Sequence, residues 1–101
     1  MNNLDFDAAA DLVGLLAHDR RLIVLQLLMQ REWDVNSLAK AVDLSQSALS
    51  QHLKKMRDLN VVKVRRDRQT SFYSCEDPGV AKVLSVLEDI FLDDETLTSA
   101  A

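Results

Sequence analysis

Cysteine is nearly missing from these 101 residues: Cys75 stands alone, so no internal disulfide can form and a reducing, cytoplasmic setting is expected. Glycine occurs twice, at Gly14 and Gly79, and proline once, at Pro78. Turns must therefore rest on Asp, Asn and Ser, and no glycine-rich loop exists to cradle a phosphate. The longest uninterrupted apolar run is Leu22 to Leu25, far short of the roughly 20 residues that span a bilayer, and no membrane segment or secretory signal fits. His52 has no neighbouring His, Cys or carboxylate at ligand spacing and His18 is expected at a helix start, so no metal and no cofactor is expected. Nothing places a nucleophile beside a base and an orienting group, which argues against an enzyme.

What is present is a chain that is 48% hydrophobic, enough for one modest core, and a single domain over residues 1–101 is expected. Its net charge of −4 and isoelectric point near 5.0 speak against nucleic acid until the charges are located. Residues 1–19 carry −4, residues 20–45 carry +1, residues 46–75 carry +5 and residues 76–101 carry −6. A basic middle between acidic ends is what a DNA-facing surface would produce, although seven Lys and Arg in 30 residues are also compatible with a merely solvated face.

Hydrophobic spacing predicts five helices. Leu4, Ala8, Leu12, Leu15 and Leu16 mark a first over about 4–17, with Asp5, Asp7 and Asp11 suiting its early turns. A second, from Asp19 to Gln30, is apolar almost all round and is expected to be the central buried helix. A short strand around Trp33 is followed by a third helix over about Asn36–Val42, with Leu38, Ala39 and Val42 inward. Asp43 then occupies a tight turn that commonly needs a left-handed residue. Ser45 is the expected cap of a fourth helix running from Gln46 to about Leu59, which buries Ala48, Leu49, Leu53, Met56 and Leu59. Val61–Arg65 and Thr70–Cys75 are expected strands around a charged loop, Arg66-Asp67-Arg68-Gln69. Asp77-Pro78 opens a fifth helix with Val80, Val83, Leu84, Leu87, Ile90 and Phe91 on one stripe, and residues 93–101 are expected to fray.

This order predicts a mainly α (α+β) fold, a winged helix-turn-helix of five helices with a two-stranded wing hairpin. The fourth helix is the one to enter a major groove. Ser45, Gln46, Ser47, Ser50, Gln51, His52 and Lys54 are its candidate DNA contacts, with Lys55 a weaker one. A Gln amide both donates and accepts, which matches the N6 and N7 edge of adenine. Arg65, Arg66, Arg68 and Gln69 form the candidate wing contacts, suited to phosphate or a narrow minor groove, with Lys63 further from the tip. The first and last helices have no obvious place in a three-helix core. Leu4, Ala8, Leu12, Leu15, Val80, Val83, Leu84, Leu87, Ile90 and Phe91 are therefore candidates for an interface with a second copy.

The segments Leu16 to Arg21, Leu38-Ala39, Leu44 to Leu53 and Val61 to Tyr73 resemble the ArsR/SmtB family of bacterial repressors. Within it, the run Leu-Ser-Gln-Ser-Ala-Leu-Ser-Gln-His-Leu and Arg66 to Thr70 resemble the group that includes a rhizobial nodulation repressor and a vibrio haemolysin activator. The resemblance covers about residues 4–93. It implies a homodimer paired through its terminal helices, binding double-stranded DNA at an imperfect inverted repeat and repressing transcription. The departures are as informative. Where metal-sensing relatives have Glu-Leu-Cys-Val-Cys-Asp-Leu, this chain has Glu32 to Leu38, with Asp34 and Asn36 at the two Cys positions. There is no His after His52, so the zinc site that other relatives build on the last helix is absent too. His18-Asp19 replaces the family's usual Asp-Pro at the second helix and weakens that cap.

Two competing readings follow. A winged helix can serve as a protein-contact module with the acidic ends as docking surface. Alternatively Cys75 can act as a thiol redox sensor, although a free Cys is most often a small buried hydrophobe.

Overall fold

The computed structural model describes the backbone of residues 3–100 and the side chains of residues 3–92. In chain order the elements are α1 (Phe6–Leu16), α2 (Asp19–Gln30), β1 (Trp33–Asp34), α3 (Val35–Ala41), α4 (Gln46–Asp58), β2 (Lys63–Asp67), β3 (Thr70–Ser74) and α5 (Pro78–Ala100). This is the expected winged helix-turn-helix, and the strand near Trp33 joins the wing as a third member.

The helix starts follow from side chains able to take up amides that no helical carbonyl can reach. Asp5 accepts from the Ala8 amide at 3.0 Å, Asp34 from Ser37 at 3.0 Å, Ser45 from Ala48 at 3.0 Å and Asp77 from Val80 at 2.9 Å. The Asp34 cap starts α3 at Val35, one residue before the expected Asn36. α2 is the exception: His18 precedes it and makes no capping bond with its side chain.

Two helix ends share one device without glycine. After α3, Asp43 takes φ 56, its amide donates to the Lys40 carbonyl and the Leu44 amide reaches back to Ala39 at 3.0 Å. After α4, Asn60 takes φ 60, its amide donates to Arg57 and the Val61 amide reaches back to Met56 at 3.0 Å. Both are Schellman endings, with the left-handed position filled by the short polar residues that tolerate it best.

The second ending redirects the chain and corrects the strand boundaries. Val61 and Val62 are buried in the core, and β2 begins only at Lys63. Its register, Lys63 opposite Ser74 through Asp67 opposite Thr70, extends two residues beyond the expected loop start. The turn is therefore the pair Arg68-Gln69 alone, with Arg68 at φ 60. β3 is the middle strand, pairing antiparallel with β2 on one side and with β1 on the other through Trp33 opposite Tyr73 and Asp34 opposite Phe72.

The core gathers Val24, Leu25 and Leu28 of α2, Leu38 of α3, Leu49, Leu53 and Met56 of α4 and Val80 of α5, and no polar or charged residue is buried with them among the described residues. α2 is central as expected, but its apolar surplus is not all enclosed: Ile23 and Met29 are exposed. Leu59, expected inward, is also exposed, because α4 ends at Asp58 and the chain has begun to turn away. Cys75 is buried; its amide donates to the Leu28 carbonyl at 3.0 Å and ties the end of the wing to α2. α5 is helical to Ala100, past the point near residue 92 where the apolar stripe stops; side chains from residue 93 onward lie outside the described residues.

Candidate nucleic-acid interface

Leu49, Leu53 and Met56 lock one face of α4 into the core. The helical period then turns Gln46, Ser47, Ser50, Gln51 and Lys54 outward, and all five are exposed. Ser45 is exposed as well, but its hydroxyl is committed to the Ala48 amide. Gln46 is held from across the turn: its Nε2 donates to Asn36 Oδ1 at 2.9 Å. Lys54 pairs with Asp58 at 3.3 Å, an exposed pair one turn apart that exchanges easily for a phosphate.

His52 is placed differently from the expected groove contact. It is half-buried, its Nδ1 accepts from Arg21 Nε at 3.0 Å, and its ring meets His18 edge-on at 4.6 Å between centroids. Arg21 also donates to the Leu15 carbonyl at 3.3 Å. His52 thus joins α4 to the start of α2. Burial, then the neighbouring charges of Arg21, His18 and Lys55, hold its pKa below the ordinary 6.5.

The wing divides into a restrained base and a free tip. Arg65 lies opposite Phe72, with its guanidinium 4.7 Å from the ring centre. It makes a forked pair with both Glu32 oxygens, the shortest contacts being 3.0 Å. That pair raises the Arg65 pKa and lowers that of Glu32. Arg65 therefore braces the wing against the β1 segment instead of standing at the tip. Lys63 is similarly engaged with Glu76 at 2.7 Å. Arg66, Arg68 and Gln69 are exposed, and the two Arg side chains have no hydrogen-bond or ion-pair partner among the described residues.

Between the end of α4 and β2 lies an open cleft of about 450 Å³, lined by Lys54, Arg57, Asp58, Asn60, Val62 and Val64. Arg57 is exposed and unpaired among the described residues, and it was not among the sequence candidates. The signal was its position three residues after Lys54, on the same helical face. Asn36 was also missed as a site residue; nothing local links it to Gln46, ten positions away.

The terminal helices split the expected pairing residues into two groups. Leu15 and Val80, at 4% and 0% exposure, are sealed in the protomer's own core and offer no surface to a second copy. Leu12, Val83 and Leu84 pack partly against that core, and Leu87 is half-buried. Leu4, Ala8, Ile90 and Phe91 are exposed, Phe91 at 73%. Phe6 at 66% and Val13, Val86 and Leu92 enlarge this apolar surface beyond the sequence list. A groove between α2 and α5, lined by Leu22, Ile23, Gln26, Leu84, Leu87, Glu88, Phe91 and Leu92, continues it.

Burial pushes the Cys75 thiol pKa up, which keeps it protonated and unreactive and weighs against a redox role. Among the described residues, no three His, Cys, Asp or Glu side chains gather as a metal site. No helix of the described residues is long and apolar enough to cross a membrane.

A family model described as "Bacterial regulatory protein, arsR family" matches residues 18–64. The nodulation protein NolR of Rhizobium meliloti is 47% identical over 90 residues, covering 89% of this chain and 74% of that protein. The transcriptional activator HlyU of Vibrio cholerae is 36% identical over 83 residues, covering 82% of this chain and 77% of that protein. Among solved structures, NolR from Sinorhizobium fredii superposes with a TM-score of 0.84 at 41% identity, covering 90% of this chain and 97% of that one.

Proposed function

We propose, for a chain that belongs to the arsR family of bacterial regulatory proteins and so is a DNA-binding transcriptional regulator and not an enzyme, that it works in the cytoplasm as a homodimer on an imperfect inverted repeat. Two copies of α4 enter successive major grooves about 34 Å apart. Gln46 and Ser47 read base edges, while Ser50, Gln51, Lys54 and Arg57 hold phosphates and register. Arg66, Arg68 and Gln69 at the wing tip reach the neighbouring backbone or minor groove. Where the operator overlaps a promoter, occupancy excludes polymerase and the outcome is repression.

The observation that carries this reading is the exposed polar face of α4 together with unpaired arginines on the wing, in a chain that is acidic overall. The apolar side chains left exposed on α1 and α5 support pairing through those helices.

The controlling signal is proposed to be something other than a metal at the third-helix start. The two residues that stand where metal-sensing relatives have Cys already have structural partners. Asp34 caps α3, and Asn36 accepts from Gln46.

The test is operator binding by two variants over a range of salt. Gln46→Ala is expected to change the ranking of operator variants, by roughly 1–3 kcal/mol of discrimination at one base pair. Arg68→Ala is expected to weaken all sequences about equally and to lower the log–log salt slope by about 0.9. Affinity that hardly responds to salt would instead favour the protein-contact reading.

A further inference from the structure

Gln46 opens α4, on the end that leads into the groove, and a free Gln there is a poor reader. Its amide carries two N–H donors and one carbonyl acceptor on a side chain with three rotatable bonds. The edge of adenine needs one donor for N7 and one acceptor for N6–H. The structure shows where the surplus donor goes. Nε2 of Gln46 donates one hydrogen to Oδ1 of Asn36 at 2.9 Å. What remains is one N–H and one C=O, both in the plane of the amide.

Asn36 can hold this bond because of how α3 begins. Asp34 caps the helix by accepting from Ser37, so the residues between have helical backbone and fixed direction. The Schellman ending at Asp43 and Leu44 fixes the angle at which α4 leaves α3. Leu38 of α3 and Leu49 of α4, both fully buried, belong to the same core. The carbonyl of Asn36 is therefore presented from a rigid element to a side chain of another rigid element.

We propose that Asn36 is a positioning residue for base readout: it spends the second donor of Gln46 and orients the remaining donor and acceptor to match adenine. In water the bond is exposed and exchanges with solvent. When the groove excludes water, the same bond strengthens and the ordering of Gln46 costs less than it would for a free side chain. Asn36 itself makes no sequence contact and is not a phosphate ligand; its role is exerted through Gln46.

This inference rests on Gln46 reading a base, and the experiment separates the two claims. Base preference would be measured by competition among operators substituted one pair at a time, for the wild type, Gln46→Ala, Asn36→Ala, the double variant and Asn36→Asp, with thermal unfolding confirming that each folds. Asn36→Ala is expected to lose about three- to tenfold of preference at the same base pair that Gln46→Ala relaxes, and at no other. The double variant is expected to be no worse at that pair than Gln46→Ala alone. Asn36→Asp keeps the acceptor and is expected to restore the ranking, while its charge lowers affinity for every operator alike. If Asn36→Ala leaves the preference intact, acts at a different pair, or adds fully to Gln46→Ala, or if Asn36→Asp fails to restore the ranking, Asn36 does not position the reader. If Gln46→Ala leaves all preferences unchanged, the base-reading assignment itself falls and the role of Asn36 falls with it.

Discussion

His52 stands on α4 yet serves as an acceptor for Arg21 at the start of α2, so its protonation bears on how the two helices are held. That acceptor is lost when the ring takes a proton, and the new charge then faces Arg21, His18 and Lys55. The unfolded chain, with an ordinary imidazole, takes up that proton more readily. Stability is therefore full above about pH 6.5 and falls as pH drops through that value, levelling once the folded form is protonated as well. The carboxylates of Glu32, Asp34 and Glu76 have lowered pKa values, so their losses come at more acid pH, below about 4.5, and leave the window to the imidazole. Urea midpoints measured from about pH 8 down to about pH 5 should fall for the wild type and fall less for His52→Gln, which keeps an acceptor without the titration. The sequence signals no partner for this ring: Arg21 is 31 positions away, and the spacing alone favours a phosphate or the backbone.

At the scale of elements, helices were legible and wing details were not. The α2 and α4 starts, Asp19 and Gln46, follow from periodicity and, for α4, the Ser45 cap, and Asp43 was recognisable as a left-handed turn residue. β2 begins later than composition suggests because Val61 and Val62 have strand composition but are drawn into the core by the Asn60 ending of α4. The tip is narrower than its charged composition suggests because pairing, not composition, decides where a hairpin turns, and Asp67 still pairs with Thr70. Arg65 looked like a DNA contact because its partner Glu32 lies 33 positions earlier. The brace also makes a prediction. Glu32→Gln removes the fixed anion and releases Arg65, while β1 still holds the wing by its pairing with β3. Non-specific DNA binding should tighten at low salt and its log–log slope should steepen by up to about 0.9, measured by fluorescence anisotropy on an unrelated duplex. An unchanged slope would place Arg65 away from the duplex even when free.

For the whole molecule, the acidic ends and the basic middle separate two jobs. The middle, at +5 over residues 46–75, holds the surface proposed to meet the duplex, and the ends, carrying −4 and −6, lie in the segments that contain α1 and α5. Exposed Phe6, Ile90 and Phe91 on those helices mark where a second copy is expected. Phe91→Glu places a charge on that surface without touching the core, since Phe91 is 73% exposed. Sedimentation should then report a monomer that retains its helical circular dichroism, and operator affinity should fall toward that of a single half-site. The chain also contains one indole, and the fold puts it at a junction. Trp33 pairs with Tyr73 of the wing, donates to the Leu27 carbonyl at the end of α2 at 3.1 Å and lies under the Arg31 guanidinium at 3.5 Å. Its emission therefore arises from a single known place, so any shift of the wing relative to α2 on meeting an operator would change the intrinsic fluorescence, and the protein brings its own optical reporter without a label.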